Sequence, residues 1–186
     1  MTRYALLVRG INVGGKNKVV MAEFRQELTK LGLEKVESYI NSGNIFFTST
    51  DSKVKLIERL ETFFGTRYPF IQRFSLLSQE DYEDELESLP AWWNEDLARK
   101  DVLFYTEGLD VEQVIEKVGS LKLEDEVLHF GKLGIFWGKF SEETYSKTAY
   151  HKDLLKMPFY RHITIRNAKT FDKIGQMLKN NKGDTQ

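Results

Sequence analysis

Cysteine is absent from the 186 residues, which removes disulfides, thiolate nucleophiles, cysteine-rich zinc sites and iron-sulfur ligation together. Histidine is nearly as scarce, and His129, His151 and His162 stand at no metal-ligand spacing. No apolar run approaches the ~18 residues that a membrane helix needs, and "MTRYALLVRG" lacks the apolar core and small-residue cleavage site of a signal peptide. A cytoplasmic protein with no membrane partner is expected. Net charge is only -1, so no global field gathers nucleic acid or anionic lipid at a distance, and any anion site must be local. What the chain does have is a core: 41% of its residues are apolar, and a globule of this size buries roughly 70% of the surface its unfolded chain exposes.

The chain reads as one unit written twice. "YALLV" at 4–8 is an unbroken apolar run, as a strand buried on both faces would be. Met21, Phe24, Leu28 and Leu31 then recur at helical spacing, with Gly32 as a stop signal. In "VESYINSGNIFFTS" two strand-like runs flank Asn41-Ser42-Gly43-Asn44, a composition suited to a tight hairpin turn. A second helix is expected from about Ser52 with Val54, Ile57, Leu60 and Phe63 on one face, and a fourth strand in "FIQRFSLL".

From residue 101 the order recurs: "VLFYT", a helix bearing Val111, Val114, Ile115 and Val118, a hairpin of "VLHF" and "GIFWG", a helix from about Glu142 to Lys156, and "HITIR". Thr170 is expected to cap a last helix carrying Phe171, Ile174 and Leu178. Strand, helix, strand, strand, helix, strand is the split ferredoxin-like unit. The expected fold is α+β, two ferredoxin-like (βαββαβ) units in tandem with mainly antiparallel sheets and a C-terminal helix. The expected segments are 1–78 with the glycine loop, an acidic helix and linker over 79–100, and 101–186 with the last helix. Glu80 to Glu87 read as a solvated helix face, and Trp92 and Trp93 as packed rather than displayed.

"GINVGGKN" at 10–17 has the glycine and lysine spacing of a P-loop, but Asn17 stands where the magnesium-binding hydroxyl belongs. The helix pattern also begins only near Met21, and the expected sheet is antiparallel at its centre. A nucleoside triphosphatase P-loop does not fit. A local anion site does: residues 1–20 hold Arg3, Arg9, Lys16 and Lys18 and no carboxylate. Gly10, Gly14 and Gly15 allow backbone N–H groups to turn toward one anion, and the following helix adds its N-terminal partial charge. The alternative is that the glycines shape a long connection, with Asn12 bonding nearby backbone. Asn41, Ser42, Gly43 and Asn44 carry the same two readings, turn or site.

These two segments together carry a resemblance. "YALLVRGINVGGKNKVVMAEFR" and "VESYINSGNIFF" are similar to the opening of a bacterial family known only as a domain of unknown function, whose members start with "LRGINVGG", then "MxxLR", then "YxxSGN". Arg9, Gly10, Asn12, Gly14, Gly15, Ser42, Gly43 and Asn44 match the opening signatures. Ser146, Lys147, Arg166, Asn167 and Thr170 match a later serine-lysine segment and a "TTRNWNT" segment. Val20 replaces the usual proline, and Ala168 stands in place of tryptophan. The resemblance implies a ferredoxin-like duplication and no established activity.

Three functions follow from the residues. The first is a site for a small phosphorylated ligand or nucleotide built from Arg9, Gly10, Asn12, Gly14, Gly15, Lys16 and Lys18 with the hairpin residues Asn41, Ser42, Gly43 and Asn44. Arginine would pair bidentately with phosphate oxygens, and an asparagine would orient the ligand. Acylphosphatases, also ferredoxin-like, use an arginine after a first-strand loop and an asparagine, a similarity of fold and residue type only. The second is a nucleic-acid module stacking bases on Phe46, Phe47, Phe136 and Trp137, against which the neutral charge argues. The third is a protein-interaction scaffold without catalysis. No cofactor and no oligomeric state can be read from the chain.

Overall fold

The computed structural model describes residues 1–180; the expected end of the second segment, 181–186, lies outside them. Two compact units emerge, one formed by Met1–Glu83 with the chain from Asp172, the other by Asp84–Phe171. The chain passes from one to the other within α3 (Gln79–Ser88) and again within α6 (Ala168–Lys179).

In the first unit β1 (Thr2–Val8), α1 (Met21–Lys30), β2 (Glu34–Tyr39), β3 (Asn44–Ser49), α2 (Lys53–Arg67) and β4 (Phe74–Ser78) make a sheet in the order β2-β3-β1-β4, antiparallel throughout. In the second, β5 (Arg99–Tyr105), α4 (Val111–Gly119), β6 (Glu126–Phe130), β7 (Gly134–Lys139) and β8 (Ile163–Asn167) repeat it as β6-β7-β5-β8. Both are ferredoxin-like, as the element order implies.

Burial explains the unbroken apolar runs. Tyr4, Leu6 and Val8 pack with Phe24 and Leu28 of α1 and Leu56, Leu60 and Phe64 of α2. Ala5 and Leu7 point to the opposite face and are also fully buried. In the second unit Leu103, Ile135 and Trp137 pack with Val114 and Val118 of α4 and with Leu154. Trp93 is buried edge-on against Phe136 and Phe171, packed rather than displayed.

Several local expectations are corrected. Of the face expected on α2, Leu60 and Phe63 are buried and Ile57 packs beside them, but Val54 is 69% exposed, and Leu56 and Phe64 complete the core positions. The helix starts where expected, with the Ser52 hydroxyl capping the Lys55 amide. Thr170 lies inside α6, and Asn167 is the cap, its Oδ1 accepting from the Thr170 amide at 2.9 Å. The expected helix over 142–156 breaks into a 3-10 turn, the four-residue α5 (Ala149–Lys152) and a second 3-10 turn. Hydroxyls divert its backbone: Ser141 accepts from Glu143, and Thr148 caps His151 and donates to the Tyr145 carbonyl. Glu85, placed on the solvated face of α3, is fully buried instead. Its carboxylate accepts from the Leu133 amide and from the Ser88 hydroxyl, closing the β6–β7 turn.

Asp51 fastens the start of α2. It accepts from Lys55 at 2.7 Å and pairs with Arg59, whose guanidinium also reaches the Leu31 carbonyl. The Lys55 hydrogen bond first, and then Arg59, hold its carboxyl below the usual range. Folded Asp51 therefore binds fewer protons than unfolded Asp51, so its stabilisation is complete above an unfolded value of about 4 and is lost as pH falls through the folded one. Urea midpoints measured between pH 6 and pH 3 should fall less steeply for Asp51→Asn than for wild type; equal slopes would assign the acid sensitivity to other carboxylates.

Candidate functional site

The loop after β1 is organised around Asn12. Its side-chain oxygen accepts from the Val19 amide at 2.8 Å, and its Nδ2 donates to the carbonyls of Val19 at 3.1 Å and Asn41 at 2.9 Å. Asn12 itself holds φ +54°, a left-handed conformation asparagine tolerates better than most residues. One side chain thus closes the loop on itself and ties it to the β2–β3 hairpin. Asn17 adds a second clasp, donating to the Gly10 carbonyl at 3.0 Å.

Val13-Gly14-Gly15-Lys16 is a miniature hairpin, with the Lys16 amide on the Val13 carbonyl at 3.0 Å. Both glycines have positive φ, as the two central residues of a type I′ turn require. A Cβ on either would meet nothing within 4 Å, so backbone conformation alone asks for glycine there. Gly43 differs. Its φ is +90°, and a Cβ would sit 2.3 Å from Val8 Cγ2, while its carbonyl accepts from the Val8 amide at 3.0 Å. The hairpin therefore rests directly on the end of β1.

Arg9 is half-buried and already engaged within the protein. Lys16 and Lys18 are exposed, with no ion pair among the described residues. Asn41 and Ser42 are exposed at the hairpin tip. Asn44 is fully buried and donates to the Tyr39 carbonyl at 3.2 Å and the Ser42 hydroxyl at 3.1 Å, so it clamps the turn. Val20 precedes α1 and gives its first turn no side-chain cap. The fold thus brings loop and hairpin together and leaves two lysines and a helix start beside them.

The later matching residues lie in the second unit. Ser146 and Lys147 are exposed in a 3-10 turn, Asn167 caps α6, and burial lowers the Arg166 guanidinium to about 10. Among the described residues no group of three or more acidic or histidine side chains is placed to hold a metal ion. No helix among them is long and apolar enough to cross a membrane.

Sequence reasoning missed a buried polar cluster in that second unit. Lys139 ends β7 fully buried, with its ammonium 2.6 Å from Asp101 and 3.5 Å from the centre of the Tyr150 ring. Burial pushes that ammonium below its usual value although Asp101 opposes the shift. Burial pushes the Tyr150 phenol up. Beside them Glu126 accepts from Trp137 Nε1 at 2.8 Å and from the amides of Glu124 at 2.9 Å, Ala149 at 2.7 Å and Tyr150 at 3.2 Å. Tyr150 also lines a cavity of about 230 Å³ with Tyr145, Tyr160 and His151. No sequence signal marks these residues, because a lysine closing an apolar strand reads as its solvated end.

A duplicated ferredoxin-like chain with a clasped, cationic first loop defines the class. The family model described as "Protein of unknown function (DUF1697)" matches residues 1–136, and the chain belongs to that family. It is also similar to a solved conserved bacterial protein from Streptococcus pneumoniae, at 84% identity over 96% of this chain and 99% of that one, with a TM-score of 0.95. None of the curated proteins matches this chain.

Proposed function

We propose that the β1–α1 loop and the β2–β3 hairpin form a binding site for a small phosphorylated ligand or nucleotide, met in the cytoplasm. The observation that carries this is the Asn12 clasp: its bonds to Val19 and Asn41 hold two separate loops as one rim beside Lys16 and Lys18, which have no ion pair among the described residues. Rigidity matters because a preordered anion site loses little entropy on binding. Arg9 and the two lysines supply positive charge, and the start of α1 supplies amide hydrogens. Exposed Asn41 orients the ligand, while Asn12, Gly43 and Asn44 hold the rim. Any reaction here would be driven by positioning and electrostatics, as in acyl-phosphate hydrolysis.

Thermal shift with phosphate, an acyl phosphate, ATP, GTP and NAD tests the reading. Ligand at ~100 times Kd adds about 2.7 kcal/mol, a rise of roughly 5–10 °C in a chain of this size. Arg9→Ala should abolish the rise and added salt should weaken it. Silence across the panel would leave the loop as a scaffold. The four aromatic residues that a nucleic-acid reading would use, Phe46, Phe47, Phe136 and Trp137, are fully buried and offer no face to a base.

A further inference from the structure

We infer that the occupant of this loop carries an apolar body beside its phosphate, as an aryl or acyl phosphate does, rather than a polar one. The inference rests on the reading above and adds the chemistry of the ligand's other half. Three large apolar side chains stand in water around the clasp: Val13 at 66% exposure, Val20 at 58% and Ile40 at 53%. Singly exposed apolar residues are ordinary. All three adjoin residues of the Asn12 clasp in the chain. Val13 follows Asn12 itself, Val20 follows Val19, and Ile40 precedes Asn41, whose carbonyl Asn12 bonds. Val13 also pairs with Lys16 in the miniature hairpin, so apolar surface and positive charge share one turn.

Ile40 sharpens the point. It holds φ +51°, a left-handed conformation that a β-branched side chain adopts only at a cost. Asparagine or glycine would suit both the backbone and the water there. An isoleucine there leaves half of its side chain in water on a strained backbone, and strain of this kind clusters at binding sites. Charge complementarity makes the occupant anionic. Its size follows from the apolar surface on offer: three exposed side chains and two lysines are too few for stable anchoring to a lipid surface, yet enough to cover one ring or short chain.

The test compares inorganic phosphate, glycerol phosphate and phenyl phosphate by calorimetric titration at low salt. Phenyl phosphate should bind at least tenfold more tightly than the other two, about the effect expected from burying one face of a ring. Val13→Ser combined with Ile40→Asn should bring the three within about twofold and leave inorganic phosphate unchanged. Asparagine relieves the strained φ, so this variant should melt no lower than Val13→Ser alone, which separates lost contact from lost fold. Equal binding of glycerol and phenyl phosphates would overturn the inference and leave the anion site standing, as would a double variant that keeps the tenfold preference. Failure of all three ligands would overturn both. Capture by phosphatidylglycerol vesicles without phenyl phosphate binding would make the surface a lipid site and overturn the small-ligand occupant.

Discussion

Glu126→Ala should lower stability by about 4 kcal/mol, with a fall in melting temperature of roughly 10 °C. Glu126 is 8% exposed and its carboxylate accepts from four donors: the Trp137 indole and the amides of Glu124, Ala149 and Tyr150. Alanine leaves several of them without a partner in a site that water hardly reaches, and each such group costs about 1–3 kcal/mol. The same bonds seat α5 against β7, so the damage should extend to the packing of Leu154 in that core. Glu126→Gln keeps one acceptor oxygen and turns its amide hydrogens toward donors, so an intermediate loss is expected. Trp137→Phe removes one donor and leaves the carboxylate three others, and should cost far less than Glu126→Ala. Urea denaturation followed by tryptophan fluorescence measures all three. A loss below about 1 kcal/mol for Glu126→Ala would mean that water replaces the carboxylate at no penalty.

Gly134→Ala should be more damaging than any other single methyl addition in the second unit. Gly134 pairs with Phe104 in the central β5–β7 ladder, and a Cβ there would lie 2.4 Å from the Leu103 carbonyl oxygen and 3.0 Å from Phe104 Cα. The obstacle is backbone, so no side chain can swing aside and the ladder itself must shift. A loss of more than about 3 kcal/mol is expected, with poor recovery of folded protein. Gly65→Ala is the matched control. Gly65 lies within α2, a Cβ there meets nothing within 4 Å, and replacing glycine in a helix interior should add about 0.5–1 kcal/mol. Circular dichroism melts of the pair should move in opposite directions. A normal melt for Gly134→Ala would show that the two strands can part without breaking their pairing.

Much of this was legible beforehand because strand burial leaves a mark in the chain. β1, β3 and β7 are buried on both faces, and the middle of a strand so placed is apolar without interruption, as in "YALLV", "IFF" and "IFW". Edge strand β2, half-exposed, mixes polar residues in. Those local patterns and the glycine, asparagine and serine turns between them carry the element order, and the element order carries the ferredoxin-like topology. Helix faces and caps were less legible: the buried face of α2 runs through Leu56, Leu60, Phe63 and Phe64 and leaves Val54 in water, and Asn167 rather than Thr170 opens α6.

The candidate site was legible in its residue types and not in its arrangement. Arg9, Lys16, Lys18 and three glycines without a carboxylate among the first twenty residues already amount to a local cationic loop. That Asn12 reaches Asn41, twenty-nine positions away, depends on the hairpin coming to rest on β1 through Gly43. Lys139, Glu126 and Glu85 depend still more on context, since a charged residue reads as solvated until a distant donor or acceptor meets it. Composition and periodicity by themselves determined which segments are strands, most of the helices, how they alternate, and where charge is concentrated, because each is a property of neighbours along the chain. Only the tertiary structure decided which polar groups are buried and which loops share one rim, because those pairings join residues that topology, not sequence distance, brings within hydrogen-bond reach.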